Sequence, residues 1–242
     1  MAGSLGSGAS LSERPESKQD GKFVVALNLL VFLGSVRDST PPRPARLGER
    51  VARACRGLLE AEGHEVGLVD PLDFDLGGAF KPHFAHAQGK APAALEDLAR
   101  RIEAADGFVM VSPEYNHSMS PALAHLLNHF GSSLYAYKPS AIATYSAGQW
   151  GGARAAVNMR TFLSELGCLP VSAMIHVPKA QEVFAEDGGY APGVDGERWD
   201  GYIGRTLTQL IWWAEAARRQ RAEGGAGRPA AFTRDPSQRN AP

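Results

Sequence analysis

Between residues 23 and 221 the chain alternates apolar runs of strand length with stretches of helical period, five of each. The runs are FVVALNLLVFL (23–33), HEVGLVD (64–70), DGFVMVS (106–112), PSAIATYS (139–146) and LPVSAMIHV (169–177). The amphipathic stretches follow at about 45–62, 92–105, 118–130, 153–166 and 197–221. In the first of these, Leu47, Val51, Ala54, Leu58 and Leu59 fall on one helical face, and Gly63 closes it as a C-terminal cap would. Strands joined through a helix lie parallel, and right-handed crossovers place helices on both faces of the sheet. The expected fold is therefore α/β, a three-layer doubly wound parallel sheet of five strands. In the order 2-1-3-4-5 the winding reverses between the first and third strands. Open sheets of this kind bind ligands beyond the carboxyl ends of their strands at such a reversal.

Composition narrows what such a sheet can serve. With a formal net charge of -1, the chain lacks the basic excess that attracts nucleic acid or an anionic membrane. The longest apolar run has eleven residues, well short of the roughly 20 needed to span a bilayer as helix. Only two cysteines occur, Cys55 and Cys168, in no ligand spacing, so neither a disulfide framework nor a zinc ribbon is expected. A reducing, cytoplasmic setting fits. Residues 1–22 lack the apolar centre of a secretion signal, and residues 222–242 are poor in packable side chains; both are expected to be disordered tails around one domain, 23–221.

Three loops at strand ends carry the chemistry. The first, GSVRDSTPPRPARLGERVA (34–52), offers Gly34 for a sharp turn, the hydroxyls of Ser35 and Ser39, and the charges of Arg37 and Arg46. The helix that follows presents free N–H groups, so a terminal phosphate suits the set. Each charge-assisted hydrogen bond to it would contribute roughly 1.5 to 3 kcal/mol. A solvated βα loop satisfies the same residues. The spacing matches neither G-x-G-x-x-G nor the Walker loop, which points away from a dinucleotide or ATP as the tightly bound group. The second loop, SPEYNHSMSP (112–121), has a turn stiffened by Pro113, with Glu114, Tyr115 and Asn116 able to meet a ring edge; alternatively it is a turn with Ser118 as helix N-cap. The third, YSAGQWGGARAAVNMR (145–160), sets Trp150 among Gly148, Gly151 and Gly152, which either let the backbone approach a ligand or serve the turn alone.

LGSVR with ARLGERVA, then SPEYNHSMSPALAHLLNHF, then YSAGQWGGARAAVNMRTFLSELG resemble the signature segments of the NADPH-dependent FMN reductase family, the flavodoxin-like quinone, azo and chromate reductases. The resemblance covers about residues 27–218 and extends to EVFAEDGGY near the end. It implies a flavodoxin-like fold and a homodimer or homotetramer. It also implies an FMN-dependent NAD(P)H oxidoreductase that passes hydride from NADPH to flavin N5. The hydride would go on to a quinone-like, azo or flavin acceptor, in ping-pong order. Carried onto this chain, Ser35, Arg37 and Arg46 would hold the phosphate. Pro113, Glu114, Tyr115 and Asn116 would line the ring and ribityl chain. Ser146, Gly148, Gln149, Trp150 and Gly151 would meet the pyrimidine edge. DSTPPRP is an insertion relative to the family's first loop, which leaves Arg43 an alternative to Arg46. The flavin does the chemistry, so no side chain is expected as general acid or base. Two other uses of a flavin stay open: a flavodoxin-type electron carrier, against which the arginine-rich loop and near-neutral charge argue, and a flavin-binding regulatory protein without turnover.

Several other features read as structural. His125 and His129 stand four apart, a metal-ligand spacing with no third ligand in view, and are expected as surface or interface residues. His83, His86 and His117 are expected as loop residues. Trp212 and Trp213 are expected as one core anchor and one surface or interface residue.

Overall fold

The computed structural model describes residues 16–19, 22–37, 46–76, 79–224 and 229. The chain begins with β1 (Glu16–Gln19), β2 (Lys22–Val25), β3 (Asn28–Leu33), α1 (Leu47–Ala61), β4 (Glu65–Val69), α2 (Ala93–Ala104) and β5 (Gly107–Pro113). It continues with α3 (Pro121–Asn128), α4 (Ser132–Tyr135), β6 (Pro139–Tyr145), α5 (Ala153–Leu166), β7 (Leu169–Val177), α6 (Ala180–Val183) and α7 (Gly196–Ala222). Strands β3 to β7 form one parallel sheet in the order β4-β3-β5-β6-β7. Numbered within that sheet, this is the expected order 2-1-3-4-5.

Alternation along each strand divides the core in two. Leu29, Val31 and Leu33 of β3 pack with α1 and α7 on one face, and Leu30 and Phe32 pack with α2, α3 and α5 on the other. The central strands β5 and β6 are buried along their whole length. Cys55 lies in the first layer and Cys168 in the second, both free, and burial pushes each thiol up to about 12. Among the described residues no helix is long and apolar enough to cross a membrane.

The run 23–33, expected as one buried strand, is divided. Residues 22–25 pair antiparallel with 16–19, a strand within the stretch expected to be a tail, and only Asn28–Leu33 enters the main sheet. The partner strands explain the break, because β4 begins opposite Asn28 and β5 opposite Leu29, leaving nothing in the sheet for earlier residues to pair with. Asp106 pins the junction: its carboxylate accepts from Asn28 N–H at 3.0 Å and from Arg221 at 3.0 Å. The tryptophan expectation also changes. Helix α7 buries Ile203, Thr206, Leu207, Leu210 and Ala214, a stripe that excludes the neighbouring tryptophans. Trp212 and Trp213 are 60% and 42% exposed and meet edge to face.

Candidate functional site

The chain leaves β3 at Gly34 pressed against the end of β5. A Cβ there would stand 2.4 Å from the Val111 carbonyl oxygen and 3.0 Å from Ser112 Cα, so only glycine lets the first loop approach the second this closely. Ser35, buried, accepts from Arg37 N–H through its Oγ at 3.3 Å, and the Arg37 residue itself is exposed. Arg46 forms a fork on Asp70 at the end of β4, with N–O distances of 2.6 and 3.0 Å, and its Nη2 also donates to the Ser35 carbonyl. Its Nε is buried with no hydrogen-bond partner among the described residues. Arg46 occupies the N-cap position of α1 without a side-chain cap bond. Ser39 and Arg43 lie outside the described residues.

Tyr145, the last residue of β6, braces this loop from below. Its hydroxyl lies against the start of α1, where a Cβ on Gly48 would stand 2.5 Å from it. Burial pushes that hydroxyl well above the ordinary tyrosine value, outweighing the influence of Ser35, which lowers it.

The second loop is a tight reversal. Tyr115 and Ser118 exchange two backbone hydrogen bonds of 3.0 Å, and the residues between them, Asn116 and His117, have φ of 51° and 63°. Positive φ at both central positions is the type I′ pattern, which ordinarily favours Asn or Gly; His117 holds it at a cost of order 1 to 2 kcal/mol. The hairpin displaces the helix start. Ser118 is consumed by the turn, and α3 is capped instead by Ser120, whose Oγ accepts from Leu123 N–H at 3.1 Å. Ser120 N–H in turn donates to Ser112 Oγ at 2.9 Å, tying α3 to the strand end. Tyr115 is 39% exposed.

In the third loop Gly151 and Gly152 have φ of 61° and 76°, and a Cβ on Gly152 would meet Thr144 Cβ at 2.8 Å. Ser146 stitches the loop: its hydroxyl donates to the Gly148 carbonyl at 2.7 Å and accepts from Gly151 N–H at 2.9 Å. The N–H groups of Gly148, Gln149 and Trp150 take no partner among the described residues. Trp150 is 63% exposed, with the Arg154 guanidinium 5.3 Å from its ring centre. Below the loop, Thr144 Oγ1 and His176 Nδ1 are 2.8 Å apart; burial, then the charge of Arg205, holds the imidazole below its ordinary value. Glu114 bridges the second and third loops, accepting from the N–H groups of Arg154 and Ala155 at 3.1 and 3.4 Å.

The three loops singled out from the sequence therefore meet at one rim of the sheet. Gly34 abuts the end of β5, Tyr145 joins the first loop to β6, and Glu114 joins the second to the third. Asp70, Tyr145 and the side-chain role of Glu114 escaped sequence reasoning. The signal was available for the first two, since each stands at a strand's carboxyl end, where this class of sheet builds its sites.

Elsewhere, the segment around residues 79–90 packs on α2 and α3. His83, Phe84, His86, Gln88, Glu96 and Arg100 help line a cavity of about 450 Å³ that shares no residue with the three loops. His125 and His129 have their Nε2 atoms 3.5 Å apart, with Phe80 against both rings. Among the described residues, no group of three or more His, Cys, Asp or Glu side chains is placed to hold a metal ion.

Comparison with known proteins bears on the same rim. The family described as NADPH-dependent FMN reductase matches residues 27–182, which include all three loops. The quinone reductase of Escherichia coli (strain K12) is 41% identical over 140 residues, 57% of this chain and 69% of that protein. An NADPH azoreductase of a Bacillus species is 37% identical over 71 residues, 29% of this chain; the match spans less than half of that enzyme, 40%. In three dimensions, a flavoenzyme NAD(P)H:(acceptor) oxidoreductase from Paracoccus denitrificans superposes with a TM-score of 0.59 at 21% identity. The match covers 79% of this chain and 99% of the other, a likeness of fold.

Proposed function

The chain belongs to the NADPH-dependent FMN reductase family, and from that membership we propose that it is an FMN-dependent NAD(P)H oxidoreductase acting on small quinone-like, azo or flavin acceptors. The observation that carries the reading is the convergence of three loops whose remaining donors are unsatisfied. A phosphate needs donors with no other partner. The first loop has a buried one in Arg46 Nε, a helix start with no side-chain cap, and the exposed Arg37. An isoalloxazine needs flat walls and an amide edge. Tyr115 and Trp150 are exposed aromatics, and the N–H groups of Gly148, Gln149 and Trp150 are free among the described residues. The residue set fits FMN.

In this reading Ser35, Arg37, Ser39 and Arg46 hold the phosphate. Because Asp70 already takes the end of the Arg46 fork, Arg46 acts through Nε and by shaping the loop. Pro113 to Asn116 flank the ring and ribityl chain, and Ser146, Gly148, Gln149, Trp150 and Gly151 meet the pyrimidine edge. Bound FMN supplies the hydride chemistry between NADPH and the acceptor. The chain contributes binding and orientation. Tyr115 and Trp150 are the exposed aromatics of their loops, and with one face of the ring left to both, nucleotide and acceptor would enter by turns, in ping-pong order.

The test is a visible spectrum of the purified protein before and after added FMN and NADPH, followed by initial rates at varied quinone. Flavin absorbance that bleaches with NADPH, together with parallel double-reciprocal lines, is expected. Protein that stays colourless and takes up no FMN would overturn the reading. Bound flavin without turnover on any quinone would leave a binding protein in its place.

A further inference from the structure

Glu114 belongs to the second loop, yet its carboxylate is engaged by the start of α5 in the third. Oε2 accepts from Arg154 N–H at 3.1 Å and Ala155 N–H at 3.4 Å, while Oε1 meets Arg154 Nη1 at 3.3 Å. Its side chain is 13% exposed. A carboxylate offers about four lone-pair sites, and three are engaged here. It occupies the positive end of α5, the place where an anion would otherwise settle.

Two further observations give this contact a consequence. Glu114 immediately precedes the turn in which Asn116 and His117 hold positive φ, a conformation that persists only where surroundings over-determine it. On the far side, the Arg154 side chain that Glu114 pairs with lies over Trp150, 5.3 Å from its ring centre. The two loops thus share one chain of contacts, Glu114 to Arg154 to Trp150.

We propose that Glu114 is a positioning residue: its carboxylate clasps the turn after β5 to the start of α5 and, through Arg154, sets the indole of Trp150 at the rim where the three loops meet. The contacts stand on their own. Their effect on cofactor binding rests on the FMN reductase reading. The clasp is a device for holding two walls at a fixed separation, which a flat ligand requires more stringently than the fold does. A carboxylate so engaged neither accepts a proton from substrate nor meets phosphate.

Two variants and two readouts test it, using the full chain. Trp150 is one of four tryptophans, so its signal is the difference between chains with and without Trp150→Phe. In the apoprotein, Glu114→Ala is expected to raise the acrylamide quenching of Trp150 and to weaken FMN binding on the order of tenfold. Glu114→Gln, whose amide oxygen still accepts from both backbone N–H groups but whose NH2 faces the Arg154 guanidinium, is expected to restore most of the FMN affinity and little of the Trp150 protection. Glu114→Ala with unchanged Trp150 quenching and unchanged FMN affinity would overturn the proposal. So would Glu114→Gln losing as much FMN affinity as Glu114→Ala while a more distant destabilising variant left both readouts alone. Should the wild-type chain fail to bind FMN, the reductase reading falls, while the quenching comparison still decides the clasp.

Discussion

Replacing Gly34 by alanine tests whether the site depends on the close approach of its first two loops. The added Cβ would lie 2.4 Å from Val111 O, 3.0 Å from Ser112 Cα and 3.3 Å from Ser120 Oγ. An ordinary carbon–oxygen contact is about 3.3 Å or more, so roughly 0.9 Å must be found. Two of the three atoms are backbone of a fully buried central strand, which cannot yield, so the loop must move. Overpacking of this kind costs about 1 to 3 kcal/mol, and the rigidity of β5 argues for the upper end. At about 2 to 4 °C per kcal/mol for a domain this size, the apoprotein should melt about 6 to 12 °C lower. FMN affinity should fall at least about tenfold, because the loop proposed to hold the phosphate is the part displaced. Gly57→Ala is the control. Gly57 lies on the exposed face of α1 with nothing within 4 Å of a Cβ, so the same chemical change there should stabilise by about 1 kcal/mol. Thermal unfolding of the two apoproteins and a flavin titration give the answer. A Gly34→Ala protein that melts with the wild type, or loses no affinity for FMN, would refute the reasoning.

Asp106→Ala should be costly, about 2 kcal/mol in urea unfolding, because it leaves Asn28 N–H without its acceptor and removes one contact of Arg221, which keeps its bond to the Tyr137 carbonyl. A loss below about 1 kcal/mol would show that the junction is held by other contacts. Stability should also decline on mild acidification. Burial holds His64, His129 and His176 below the ordinary value of 6.5, so the unfolded chain takes up protons there before the native one does. Stability is then full above about pH 6.5 and lost below it, by at most about 1.4 kcal/mol per pH unit for each histidine. His64 shows why: its neutral Nδ1 accepts from Leu27 N–H at 3.4 Å, an acceptor that protonation removes. Urea midpoints that stay level between about pH 7.5 and about pH 5.5 would contradict this.

The architecture was legible because it depends on patterns that repeat. Runs such as LPVSAMIHV became β7 over the same residues, 169–177, since a run of strand length between two helical periods has few alternatives in a parallel sheet. The run 23–33 was misread for a related reason. Apolar character states that a segment can be buried, whereas the lengths of its neighbours, β4 and β5, decide how much of it finds a partner. The late start of α3 has a local cause. Pro121 after Ser120 is as good a helix start as any, but the two hydrogen bonds between Tyr115 and Ser118 depend on a left-handed Asn-His pair that propensity does not favour.

For the site, residue types and loop positions along the chain were enough to single out an arginine-bearing loop, a stiff turn and a glycine-rich loop, and the fold brings these to one rim. Which atoms remain available was settled only in three dimensions. Arg46 turns its fork to Asp70, 24 residues away, and Glu114 caps a helix 40 residues on. A hydrogen bond is made once by each donor, and the competition for it runs between segments that only the folded sheet brings within 3 Å of one another.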